Sequence, residues 1–334
     1  MNFVMLAAAW LACTAPMLAG AAPAQTVQER PLPDTLSPEA RAAMAAIAAQ
    51  KTPDRPPSLI DMRSITDGVQ ASFGAKLERR YAVRIEMTAI AGVAVRIVYP
   101  KRVTALGKGP VLLNLHGGGF ALDSGSLTET IPVAALSGLP VVAVLYRLSP
   151  ENPYPAALDD AFAVYQALEK DRPASRIAVF GTSAGATLSG QLIARLASLG
   201  RPMPAALGYF SGKADAGQTG DSESSIPAPA FDWLGVYAGK TPVTDPIFSP
   251  LCGDVSHFPP TLLLTSTRDV LLSPTSIFAR ALSERGVDAR LVVFDGLPHA
   301  FWAYMDIPES DQANALIARF LKARLDAAGR RSGI

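Results

Sequence analysis

The sequence predicts an α/β protein with a mostly parallel central sheet of about eight strands and helices on both faces. Short apolar runs recur through the chain and alternate with Ala- and Leu-rich stretches of helical pattern, as strands buried on both sides of a parallel sheet do. Two glycine-rich motifs stand directly after such runs, where the carboxyl ends of parallel strands gather and where open α/β sheets bind ligands. With 334 residues, 49% hydrophobic and 18% charged, the chain is long enough for one large domain with a sizeable core. Thirty basic residues against 29 acidic ones, a net charge of +1, give no reason to expect a nucleic-acid partner.

Residues 1–24 carry no charged side chain and read as a signal peptide: an apolar stretch from Phe3 to Leu11, the helix breaker Pro16, then small residues with cleavage sites near Ala21 or Ala24. The expected location is therefore secreted or periplasmic, without stable membrane insertion once the leader is removed. The n-region lacks Lys and Arg, so an uncleaved N-terminal membrane anchor is the alternative. Removal of the leader would leave Cys252 as the one cysteine, with no internal disulfide. Residues 25–79 form an arm, rich in Pro and Ala at its start, with a helix over 37–51 introduced by Ser37-Pro38-Glu39. From residue 80 to 334 the main domain follows. Tyr81–Met87 alternates like an antiparallel edge strand and Val93–Tyr99 is its neighbour. Further strands are expected at 111–115, 141–145, 177–180, 205–210, 261–265 and 291–294, and helices at 127–138, 156–170 and 313–327, with another after 185.

Strand 177–180 runs straight into Gly181-Thr182-Ser183-Ala184-Gly185 and then a helical pattern, the strand, turn and helix of a nucleophile elbow. Glycines at 181 and 185 suit a turn that brings strand and helix backbones together, leaving the Ser183 hydroxyl exposed above a helix N-terminus. Strand 111–115 ends in His116-Gly117-Gly118-Gly119-Phe120. One glycine would suffice for a turn; three in a row bare backbone N–H groups, which suits an oxyanion hole.

HGGGF at 116–120, YRLSPENPYPAALDDA at 146–161, GTSAG at 181–185, RDVLLSP at 268–274 and GLPHAFW at 296–302 together resemble the hormone-sensitive-lipase group of α/β-hydrolase carboxylesterases, over roughly residues 80 to 325. The resemblance implies the α/β-hydrolase fold, a small-molecule ester as substrate and N-terminal helices forming a cap over the site; an arm without function is the alternative for those helices. It also implies Gly118 and Gly119, with Ala184, as oxyanion-hole donors, while Gly117 shapes the loop. Thr182 departs from the family, which commonly has Asp there, and RDVLLSP matches one branch only, so substrate preference does not transfer with the fold.

A serine nucleophile needs a base, and there are three histidines. His116 belongs to the glycine loop and is expected to fix its shape; His257 lies in a connection before a strand. His299 follows the last strand and fits the order serine, acid, histidine. Asp269, in the turn after strand 261–265, is the expected acid, with Asp295 the rival because it is nearer in sequence. Ser183, Asp269 and His299 are thus the expected catalytic residues. No metal or organic cofactor is expected, since the isolated histidines offer no paired ligand spacing. Phe120, Tyr209, Trp233, Phe301 and Trp302 are candidates for apolar substrate-binding walls, and each could equally be core. A lactonase, amidase or lipase on the same triad, or a non-catalytic ligand-binding member of the fold, are the other readings; a homodimer is possible in any of them.

Overall fold

A computed structural model describes residues 31–50, 57–225 and 231–331. The leader read over residues 1–24 lies outside the described residues. Among the described residues no helix is long and apolar enough to cross a membrane.

Among the described residues eight strands form one sheet in the order β1-β2-β4-β3-β5-β6-β7-β8. They are β1 (Arg84–Ile90), β2 (Val93–Tyr99), β3 (Val111–Leu115), β4 (Val141–Val144), β5 (Ile177–Thr182), β6 (Ala206–Phe210), β7 (Thr261–Arg268) and β8 (Ala289–Pro298). β2 runs antiparallel to both β1 and β4, and every pairing from β4 to β8 is parallel. Ala91 and Gly92, at φ 52° and 80°, make the two-residue hairpin between β1 and β2, where both central residues take positive φ. The first strand begins three residues later than Tyr81, because Tyr81 closes the helix before it and Ala82 caps that helix in the left-handed conformation.

Helices are α1 (Pro38–Ala48), α2 (Leu59–Tyr81), α3 (Thr130–Ser137), α4 (Ala156–Asp171), α5 (Ala184–Ser198), α6 (Asp221–Ser224), α7 (Trp233–Ala238), α8 (Leu272–Glu284) and α9 (Pro308–Arg331). Side chains of a strand alternate between faces, so the sheet feeds two cores. Leu113, Val179 and Leu263 pack with Leu158 and Val164 of α4, Leu188 and Leu192 of α5 and Phe278 of α8. Leu112, Phe180 and Leu262 pack on the opposite side with Ile131 of α3 and Ile317 and Leu321 of α9.

Helix α2, 23 residues long, fills the end of the expected arm and runs two residues beyond it. It starts at a capping box in which the Ser58 hydroxyl accepts from Asp61 N and the Asp61 carboxylate accepts from Ser58 N at 3.0 Å. Ser37 caps α1 in the expected way, its hydroxyl accepting from Ala40 N at 3.1 Å.

Candidate active site

β5 ends at Thr182 and α5 begins at Ala184, leaving Ser183 alone between strand and helix at φ 59°, ψ −124°. A residue with a side chain is strained there by roughly 1–3 kcal/mol and stays only where neighbours hold it. Here Ser183 N donates to Phe210 O on β6 at 2.8 Å, and Ser183 O accepts from Thr187 N at 3.1 Å. The flanking glycines are spatial necessities. A methyl group at Gly185 would run into the carbonyls of Leu115 and His116, and one at Gly181 into those of Gly185 and Leu115. The end of β3, the elbow and the start of α5 are therefore in backbone contact.

The glycine loop lies against the serine: a Cβ at Gly117 would sit 3.4 Å from Ser183 Cβ. Gly118 at φ 115° and Gly119 at φ 59° take left-handed conformations, and a side chain at Gly119 would strike the Trp233 ring. His116 shapes this loop. Its Nδ1 donates to Gly117 O at 2.8 Å and its ring stacks on Tyr146 at 4.1 Å, while Tyr146 OH donates to His116 O at 2.7 Å. Helix α2 braces the loop from outside. Arg63 Nε donates to Ala121 O at 2.9 Å and its other nitrogens reach Ser149 O and the Glu151 carboxylate. Gln70 donates to Ser124 O at 2.7 Å and accepts from Leu127 N at 3.0 Å.

Asp269 follows β7 and His299 follows β8, two neighbouring parallel strands paired as far as Arg268 and Pro298. Their side chains meet: His299 Nδ1 donates to Asp269 Oδ1 at 2.7 Å. Asp269 is buried and also accepts from Leu271 N at 2.8 Å, from Thr265 Oγ1 at 3.1 Å and from the Ser211 hydroxyl. Burial opposes charge on this carboxyl, but the imidazole beside it and the donors of Ser211 and Leu271 outweigh that and hold it below the usual carboxylate range. Burial likewise opposes charge on His299, and the adjacent Asp269 outweighs it, so the imidazole titrates above its usual value. Asp295 is turned elsewhere, bonded to Thr267 Oγ1 at 3.0 Å and Thr35 Oγ1 at 2.6 Å. His257 is exposed beside Asp254, and Cys252 is exposed.

The aromatic candidates divide. Tyr209 and Phe301 have no accessible surface, and Trp302 is 2% exposed, packed between Phe210 and Phe301. These three pack in the core, the alternative expected for them beside substrate walls: Tyr209 lies within β6, and Phe301 and Trp302 turn their rings onto the sheet. Trp302 Nε1 instead donates to Thr182 Oγ1 at 3.1 Å. Phe120 in the glycine loop is buried as well, at 4% exposure and stacked on Tyr237 at 3.5 Å, whereas half-buried Trp233 lies over Gly119 beside Phe231. Among the described residues no group of three or more His, Cys, Asp or Glu is placed to hold a metal ion. Arg63, Gln70 and Ser211 were not singled out from the sequence. A polar residue at helical spacing in α2 carries no mark of a loop more than fifty positions away.

A family model described as alpha/beta hydrolase fold matches residues 112–303, from the start of β3 to just beyond His299. The chain belongs to the alpha/beta hydrolase fold family. An acetyl-hydrolase of Streptomyces hygroscopicus is 33% identical to this hydrolase over 230 residues, covering 64% of the chain and 76% of the relative. An ethyl acetate hydrolase of Pseudomonas putida is 32% identical over 249 residues, covering 69% and 78%. Among solved structures, esterase E25 shares 31% identity with a TM-score of 0.76 over 92% of this chain and 98% of its own. A hormone-sensitive lipase from a metagenome library shares 29% with a TM-score of 0.72 over 82% and 93%. The hydrolase thus falls in the hormone-sensitive-lipase group that its five motifs resemble.

Proposed function

We propose that this α/β hydrolase is a serine carboxylesterase acting on small-molecule esters of short to medium acyl chain through Ser183, His299 and Asp269. The observation that carries the reading is the 2.7 Å contact between His299 Nδ1 and Asp269 Oδ1 at the sheet edge that also bears the Ser183 elbow. An ionised carboxylate only accepts, so the Nδ1 of His299 carries the hydrogen and Nε2 is left with its lone pair for a serine proton. Ser183 Oγ attacks the ester carbonyl as Nε2 takes its proton. The carbonyl oxygen becomes an oxyanion between the N–H groups of Gly118, Gly119 and Ala184, the last at the positive end of α5. Collapse breaks the bond to the alcohol, which leaves with the proton from Nε2; water then attacks the acyl-serine by the same route. Acetyl-hydrolase and ethyl acetate hydrolase relatives support a short acyl group, and the Trp233 ring over Gly119 supports a restricted space beside the loop.

Hydrolysis of p-nitrophenyl acetate by wild type and Ser183→Ala tests the reading: the folded variant should lose roughly 10⁴-fold or more in kcat. Retained turnover would remove the serine mechanism. A series of ester chain lengths beside a lactone and an anilide separates the carboxylesterase from lipase, lactonase and amidase. We further propose export with removal of residues 1–24, and helices α1 and α2 as a cap. N-terminal sequencing of protein from producing cells checks the first, and KM of an α1 deletion the second.

A further inference from the structure

Beneath the glycine loop lies a carboxyl that this reaction scheme leaves unused. Glu129 immediately precedes α3, its N–H bonded to Gly125 O at 3.0 Å, and it is 3% exposed. Its side chain folds over Gly125 so closely that any side chain at 125 would overlap the carboxyl. Asn114 Nδ2, from the fully buried end of β3, donates to Glu129 Oε2 at 3.4 Å. The Thr182 hydroxyl and the Gly117 N–H also face the carboxyl as donors. Thr182 Oγ1 in turn accepts from Trp302 Nε1 at 3.1 Å. One buried side chain thus bonds Asn114 of β3 and stands close enough to the residue before Gly118 and the residue before Ser183 for both to favour its charge, and Trp302 bonds the second of these from the segment three positions beyond His299.

A carboxyl in such a place is disfavoured relative to an apolar side chain unless its bonds serve something. We propose that Glu129 is a positioning residue for ester hydrolysis, its carboxyl holding the Gly117 end of the oxyanion loop to Thr182 of the elbow and, through Trp302, to the histidine loop. This rests on Ser183 being the nucleophile. Charged and titratable groups around it are few: Asp123 from the same loop repels its charge, while His299 and Tyr146 feel it. Burial first, and Asp123 with it, pushes the carboxyl up to about 7 against the donors of Asn114, Thr182 and Gly117. When ionised it raises the affinity of His299 for its proton.

The test measures kcat and KM for p-nitrophenyl acetate between pH 5 and 9 in wild type, Glu129→Ala, Glu129→Gln and Thr182→Val. Glu129→Ala should lower kcat by about 10- to 100-fold with KM little changed, as misplacement of reacting groups does. Glu129→Gln can still accept from Gly117 and Thr182, so it should recover most of kcat. Its acidic limb in kcat/KM should lie at lower pH than in wild type, because His299 loses a negative neighbour. Thr182→Val, which cuts the link and leaves the carboxyl, should resemble Glu129→Ala, and combining the two should add little. Wild-type kcat in either Glu129→Ala or Thr182→Val overturns the proposal, as does a Gln variant with neither recovery nor a displaced limb. Should Glu129→Ala fail to fold, the Gln and Val variants decide by the same criteria. Loss of activity in Ser183→Ala together with wild-type rates at 129 and 182 removes the role of Glu129 alone; activity retained in Ser183→Ala removes the serine mechanism itself.

Discussion

The indole N–H of Trp302 donates to the hydroxyl of Thr182 at 3.1 Å, joining two segments 120 positions apart. One of these residues directly precedes Ser183 and the other stands three after His299. The bond makes the spacing between elbow and histidine loop a matter of side-chain chemistry as well as sheet register. Trp302→Phe keeps an aromatic ring between Phe210 and Phe301 and removes the donor. We expect a stability loss of about 1–2 kcal/mol in urea denaturation and a kcat lowered several-fold, less than in Glu129→Ala.

Asp269→Asn removes the acceptor that fixes the His299 tautomer. The amide can present its N–H₂ to Nδ1, which would put the imidazole proton on Nε2, facing the serine. Ester turnover should fall by roughly 10³- to 10⁴-fold, with near-UV circular dichroism unchanged.

The pH profile of wild type follows from the direction of the His299 shift. The proposed mechanism requires neutral imidazole, and Asp269 raises its affinity for the proton against burial. Activity should therefore rise with pH, with its acidic limb centred above the ordinary histidine value. A limb below that value would contradict the geometry.

Glu129 leaves a second signature, in stability. A carboxyl raised from 4.5 to about 7 on folding keeps its proton in the native state while the unfolded chain has already lost it. The unfolded state then binds fewer protons, so stability falls as pH rises from about 4.5 to 7 and stays lowered above that, by an amount on the order of 3 kcal/mol. Glu129→Gln removes this linkage. Its stability relative to wild type, from urea midpoints at pH 5 and pH 8, should be markedly greater at the higher pH.

Gly185→Ala places a methyl group into the carbonyls of Leu115, the last residue of central strand β3, and of buried His116 directly after it. A destabilisation of at least about 3 kcal/mol is expected. Gly109→Ala, where nothing lies within 4 Å, is the control and should be close to neutral by thermal melting.

Much of this architecture was legible in the residues. Strands buried on both faces, such as β3 and β5, leave unbroken apolar runs, and the tight turns after them demand glycine. The pairing of Asp269 with His299 was legible because both stand at the ends of such strands. Helix α2 was not, because its inward side mixes Thr66, Gln70 and Gly74 with the apolar Met62, Val69 and Leu77. It packs against a loop whose carbonyls want donors. Tyr209, Phe301 and Trp302 were left open between wall and core, because a position near a loop says nothing about which way a ring turns. Glu129 was invisible for a related reason: its partners lie at 114, 117 and 182, joined to it only by the closed fold.

The bracing of the glycine loop by Arg63 and Gln70 sets an order of events along a growing polypeptide. Helix α2 leaves the ribosome before the loop it must hold, and Asp269 and His299 emerge long after the serine. On the proposed mechanism a half-made chain would present its serine without a base, and esterolysis would wait until β8 has docked on β7.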